Sequence, residues 1–173
     1  MGAIELFDAD GTAVVTAEVM REKVVALQDV LLEMPQAGIV TTHTFLPGVY
    51  ERKITVPPWT VLTGAAHKTG YRVRLEKGTI AVNRETEVVV LTAPVEFDAK
   101  AGEQRAGRVF DDEVVWVDIY DNPDDCQDLD VLEDRLYVVP DCGLGDARKR
   151  LALKNETESV KELSWPDGQQ AQS

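Results

Sequence analysis

The sequence predicts an all-β sandwich or barrel preceded by one amphipathic helix and followed by a short second helix. Three observations carry this. Apolar residues recur with a period of two from Ile39 to Tyr120. Turn residues interrupt that stretch repeatedly, at Pro47-Gly48, Pro57-Pro58, Gly70, Gly78, Asn83 and Gly102. A period of 3.6 is confined to a segment before it and a shorter one after it.

The elements follow in order. Ile4 to Val15 holds two apolar runs around Asp8-Ala9-Asp10-Gly11, the pattern of a small hairpin. Thr16 reads as an N-cap with Glu18 in the first turn, and Met20, Val24, Leu27, Leu31 and Met34 form an apolar stripe. These predict a helix over Ala17 to Glu33, ended by Pro35. Strands are expected at Ile39–Phe45, Tyr50–Val56, Thr60–Ala65, Tyr71–Lys77, Thr79–Val82, Val88–Thr92, Arg108–Phe110 and Val114–Tyr120. The acidic stretch Asp121 to Asp134 is not an EF-hand. A loop starting at Asp121 places Pro123 on a ligand position, and one starting at Asp124 places Cys126 there. It reads as a loop leading into a helix over Asp128 to Leu136, with Leu129, Leu132 and Leu136 on one side. The expected organisation is therefore residues 1–36 for hairpin and helix, 37–120 for the barrel, 121–140 for acidic loop and short helix, and 141–173 for a polar, mobile tail carrying Trp165.

Composition bounds function. The chain has 173 residues, suited to one domain with extensions, and 44% of them are hydrophobic, enough for a core. Lys and Arg total 18 against 31 Asp and Glu, a formal net charge of -13. Such a surface repels phosphate backbones, which argues against nucleic-acid binding while leaving room for a local basic pocket. Cys126 and Cys142 fit neither a zinc pattern nor a disulfide framework and read as free thiols. No signal-peptide start and no membrane-spanning apolar run is seen, so the expectation is a cytoplasmic protein with no membrane partner.

Side-chain alternation nominates the interior residues. On Tyr50–Val56, Arg52 shares a face with Tyr50, Ile54 and Val56. On Tyr71–Lys77, Tyr71, Val73 and Leu75 point inward, leaving Arg72 and Arg74 as solvated charges. On Val114–Tyr120, Asp118 shares a face with Trp116 and Tyr120 while Val115, Val117 and Ile119 share the other, and alternation leaves open which of the two is interior. An inward Arg52 requires a carboxylate, a carbonyl or an anionic ligand. Asp118 is the natural internal partner for Arg52 or Arg105, and an Arg–Asp network holding the sheets together is the purely structural alternative to a binding role. His43, beside Phe45, is open to either reading.

Pro57-Pro58-Trp59, Gly64-Ala65-Ala66-His67-Lys68, Tyr71, Leu75, Gly78, Ala93-Pro94, Gly102-Glu103-Gln104-Arg105-Ala106 and Trp116 stand in an order that resembles a cupin. His43, Gly48-Val49-Tyr50-Glu51-Arg52 and Leu132-Glu133 extend the likeness to small cupin-fold proteins of tailed phages and prophages, over about Leu27 to Leu136. The resemblance implies a double-stranded β-helix, a jelly-roll barrel with a pocket at one mouth. It also implies four metal-ligand positions, which fall here on Ala65, His67, Tyr71 and Arg105. One ligand of four remains, and Tyr71 and Tyr120 stand where phage relatives often carry His, so no cofactor or stoichiometric metal is expected.

Two classes of function follow from the resemblance. The first is a non-enzymatic phage or prophage protein, acting as a virion or assembly component or as a binder of a small anion, located in the infected cell or the virion. Its pocket would use His67, Arg52, Arg105, Tyr71, Tyr120, Asp118 and His43. The second is a metal-independent sugar-nucleotide epimerase or isomerase, with His67 as base, Tyr71 or Tyr120 as acid and the arginines on phosphate. A metal-dependent enzyme is third. A homodimer is expected through the helical stripe, unless that helix folds back on its own barrel, and phage structural proteins are further candidate partners.

Overall fold

The computed structural model describes residues 6–7, 13–14 and 16–138. Cys142, Trp165 and the predicted tail lie outside the described residues. Near the N-terminus β1 (Leu6–Phe7) pairs with β2 (Ala13–Val14), as the Asp-Gly turn predicts. Helix α1 (Ala17–Leu32) begins where Thr16 Oγ1 accepts a hydrogen bond from the Val19 amide at 3.2 Å. Val24 and Gln28 are its buried residues, and it packs beside β5 (Val61–Thr63). Gln28 Oε1 accepts from Gln104 Nε2 at 3.1 Å, so this face of α1 is turned to the chain's own barrel.

The barrel consists of two antiparallel sheets. One has the order β3 (Val40–Leu46), β4 (Val49–Val56), β11 (Val114–Asp121), β6 (Tyr71–Lys77), β9 (Val95–Ala99). The other runs β5, β10 (Ala106–Val109), β7 (Thr79–Arg84), β8 (Glu87–Thr92). Strand β4 pairs with β11, β5 with β10, β6 with β9 and β7 with β8. Nested pairing of this kind is a long hairpin folded back on itself, and with these sheet orders it defines an eight-stranded jelly roll, to which β3 adds an edge.

Alternation puts the expected residues inside. Val73, Leu75, Val56, Val109 and Val114 are fully buried in one apolar cluster with Ile80, Val82 and Trp116. A second cluster of Tyr50, Tyr120, Leu132, Leu136 and Tyr137 joins the barrel to helix α2 (Leu129–Leu136). Asp128 caps α2, its Oδ1 accepting from the amides of Asp130 at 3.0 Å and Val131 at 3.2 Å. Among the described residues no helix is long and apolar enough to cross a membrane.

Three details differ from the sequence reading. Strand β9 was not anticipated, although Val95, Phe97 and Ala99 alternate with Glu96 and Asp98. The strand expected at Arg108–Phe110 lies at Ala106–Val109, because Gly107 to Val109 pair with Ile80 to Val82 and Phe110 falls beyond the ladder. Arg74 is no simply solvated charge. It bonds Glu51 at 3.3 Å and Glu76 at 3.0 Å, while Lys53 meets Glu76 at 2.7 Å, forming a charge lattice on the outer face of the five-stranded sheet.

Candidate functional site

Cross-strand register assembles the site. Asp118 on β11 lies between Arg52 on β4 and Val73 on β6, and Tyr120 stands opposite Tyr50. The β5–β6 connection delivers His67, and the β9–β10 connection delivers Glu103 and Arg105. Tyr137, just after α2, pairs with His67 in an isolated antiparallel bridge. This holds α2 over the barrel mouth, helped by the Lys68 amide donating to Leu136 O at 2.7 Å and the Val138 amide to Ala66 O at 2.8 Å.

All seven nominated residues fall in this region, in three linked groups. His67 Nε2 is 2.8 Å from Tyr120 Oη, and its ring centroid is 3.9 Å from that of Tyr71. Arg105 donates through Nη1 to Tyr71 Oη at 2.8 Å and pairs with Glu103 through Nη2. Asp118 Oδ1 accepts from Trp116 Nε1 at 2.7 Å, while its Oδ2 is 3.9 Å from Arg52 Nη1. His43 Nδ1 is 2.8 Å from Tyr50 Oη, and the Tyr50 ring stacks on Tyr120. Sequence reasoning placed Arg52 and Tyr71 on the interior face and grouped Asp118 with Tyr120 on one face of β11 without deciding which face is interior, but missed Glu103 and Tyr137. A partner two residues before Arg105 was a local signal for the first. Nothing in the sequence pointed to the second.

Burial tunes the protons. It lowers the His67 pKa to about 3, with Arg105 and Arg52 adding to the effect and the Ala65 backbone opposing it slightly. His67 is therefore neutral at pH 7, and among the described residues the buried Arg105 Nε has no hydrogen-bond partner. Burial raises the pKa of both Tyr71 and Tyr120, and Asp118 adds to the effect on each. Asp118 is also raised by burial, against the pull of Trp116 and Arg52. The cluster meets solvent at Arg52, whose side chain is 26% exposed, and at exposed His43. Burial and Arg52 lower the His43 pKa, while Glu133 opposes them.

The four positions implied for metal ligands do come together, but as Ala65, His67, Tyr71 and Arg105. A guanidinium hydrogen-bonded to a phenol beside one imidazole does not fit a divalent cation. Among the described residues no set of three His, Cys, Asp or Glu side chains gathers at metal-binding spacing.

The chain matches no protein-family model and no curated protein. Solved structures similar to it include an HTH_3 family transcriptional regulator from Vibrio cholerae, at 12% identity and a TM-score of 0.42, over 49% of this chain and 51% of that one. The chain thus spans about half the length of that regulator. A Cupin_2 domain of an XRE family transcriptional regulator from Enterobacter cloacae is similar at 16% identity and a TM-score of 0.44, over 51% of this chain and 99% of that one. An RmlC-like cupin from Shewanella frigidimarina is similar at 16% identity and a TM-score of 0.43, over 56% and 84%. The strand order described above, rather than these partial overlaps, defines the fold as a jelly roll.

Proposed function

We propose that this chain is a non-catalytic jelly-roll protein of the phage or prophage kind, which binds a small anion at Arg52. The observation that carries the reading is the state of Arg52. Arg52 shares the interior face of β4 with buried Tyr50 and Val56, and its side chain is 26% exposed. Asp118, the carboxylate it meets, is 3.9 Å away, beyond good hydrogen-bond range. An arginine so placed retains donors for a phosphate or carboxylate, which it grips through paired N–H groups. His43 stands opposite Arg52 across the β3–β4 ladder and bonds Tyr50. Arg105 is already engaged by Glu103 and Tyr71, so its role is to set the charge of the site from behind.

The non-catalytic part rests on proton chemistry. Acid–base catalysis works best with groups whose pKa values lie near the operating pH. Here the candidate base is lowered to about 3 and both candidate acids are raised. His67 also touches Tyr71 and bonds Tyr120 directly, which leaves no gap for a substrate carbon between base and acid. Assembly into a larger particle is a second reading, favoured by the exposed apolar side chains of Trp59, Val88 and Val90.

Calorimetric titration with inorganic phosphate, nucleotides, sugar nucleotides and dicarboxylates tests the binding reading. At least one class is expected to bind below millimolar concentration. Silence across all four classes would leave Arg52 and Asp118 as an internal structural pair.

A further inference from the structure

We propose that the free edge of β3 pairs antiparallel with β3 of a second copy of this chain, about a two-fold axis through His43. The inference does not depend on anion binding. Among the described residues no strand pairs with the outer side of β3, and six of its seven residues are exposed, including Val40 at 58% and Leu46 at 47%. Open edges invite another strand unless they are guarded by charge, proline or a bulge. Val40-Thr41-Thr42-His43-Thr44-Phe45-Leu46 contains no Lys, Arg, Asp, Glu or Pro, and its ladder with β4 is continuous. The opposite edge of the same sheet, β9, is guarded by Glu96 and Asp98.

The backbone is set for this pairing. The two-residue turn Pro47-Gly48 makes Leu46 and Val49 the closing pair of the β3–β4 hairpin. In an antiparallel ladder hydrogen-bonded pairs alternate, so the even-numbered residues of β3 bond β4. Thr41, His43 and Phe45 then direct their N–H and C=O groups to the open edge. An axis through His43 matches each of these three residues with one that faces the same way: His43 with the second copy's His43, and Thr41 with its Phe45.

The side chains are self-complementary in the same register. Val40 meets Leu46, so the two large exposed apolar side chains of the strand cover one another across the junction. Thr42 meets Thr44, a favourable cross-strand pair of hydroxyl-bearing residues. A foreign peptide would have no reason to match this palindrome. At a net charge of -13, two copies repel, and a carboxylate-free strand is where they approach at least cost.

Light scattering after size exclusion at micromolar concentration is expected to give twice the 19.1 kDa chain mass. The Thr42→Lys/Thr44→Lys double variant sets like charges opposite each other at exposed positions and is expected to be monomeric with an unchanged circular dichroism spectrum. Thr41→Pro removes an outward N–H, needs no β4 bond, and is expected to do the same. A monomeric parent overturns the proposal, as does a double variant that stays dimeric. Amide exchange resolves what covers the edge. Protection at Thr41, His43 and Phe45 in the parent that is lost in the double variant supports self-pairing. Protection in a monomer assigns the edge to the chain's own residues and refutes it.

Discussion

His67 couples the protonation of the barrel interior to its stability. Its pKa is about 3 in the fold against 6.5 when free, so the unfolded chain takes up the proton first. The contribution of His67 to stability is then level above pH 6.5 and falls as the pH drops from there towards 3, at about 1.4 kcal/mol per unit of the pKa difference. Asp118 acts in the opposite sense. Its raised pKa makes the folded state the better proton acceptor, a contribution lost as pH rises through its folded value. Comparison with His67→Gln isolates the histidine, because the amide can still bond Tyr120. Between pH 7 and 4.5 the parent's urea midpoint is expected to fall more steeply than the variant's, by up to about 3 kcal/mol in stability. Parallel profiles would mean that His67 is not buried as a neutral ring. At this scale the sequence was readable where alternation governs. Tyr71 and Arg52 sit on strands and were placed on the interior face, whereas for Asp118 and Tyr120 alternation gave a shared face of β11 but not which face is interior, because both are covered. The partners Glu103 and Tyr137 come from connections, and their positions depend on contacts distant in sequence.

The turns that carry the chain from sheet to sheet are fixed by particular residues. Gly78 separates β6 in one sheet from β7 in the other, with φ +83°. A Cβ there would stand 2.3 Å from the Glu113 carbonyl oxygen, a backbone atom that cannot turn aside. Gly48 has φ +73° but open space around it. Gly48→Ala is therefore expected to cost about 1 kcal/mol, the left-handed backbone penalty alone. Gly78→Ala is expected to cost more than about 3 kcal/mol, since strain and clash add. Equal costs in urea unfolding would show that the corner relaxes freely. The elements the sequence yielded most plainly were those with strong punctuation, such as α1 between Thr16 and Pro35. Strand β9 escaped because it is only five residues long, follows directly on Pro94, and two of its residues are acidic. The apolar stripe of α1 was legible but its destination was not, because amphipathicity says that a face is covered and not by what.

Over the whole molecule charge is distributed unevenly. The outer face of the five-stranded sheet carries the lattice of Glu51, Lys53, Arg74 and Glu76, whereas Arg52, Asp118, Glu103 and Arg105 lie within the barrel. The interior set balances two guanidiniums against two carboxylates, but Arg52 and Asp118 stand 3.9 Å apart, so the Arg52 donors are left for a small anion. The surface, at a net charge of -13, slows anion approach through long-range repulsion but does not alter what the Arg52 guanidinium can hold once the anion arrives. The nested jelly-roll order was expected from the resemblance to cupins and not from periodicity, since alternation identifies strands without saying which ones pair.

The most direct test of the central claim is the affinity of one phosphate-bearing ligand, drawn from the calorimetric panel, for the parent, Arg52→Ala and Arg105→Ala. Loss of a charge-assisted contact worth about 1.5–3 kcal/mol weakens binding by roughly ten- to a hundredfold. Arg52→Ala is expected to show that loss, and Arg105→Ala a smaller one, because Arg105 acts through charge and not by contact. Equal affinity in the parent and Arg52→Ala would contradict the account and leave the arginine as an internal partner of Asp118.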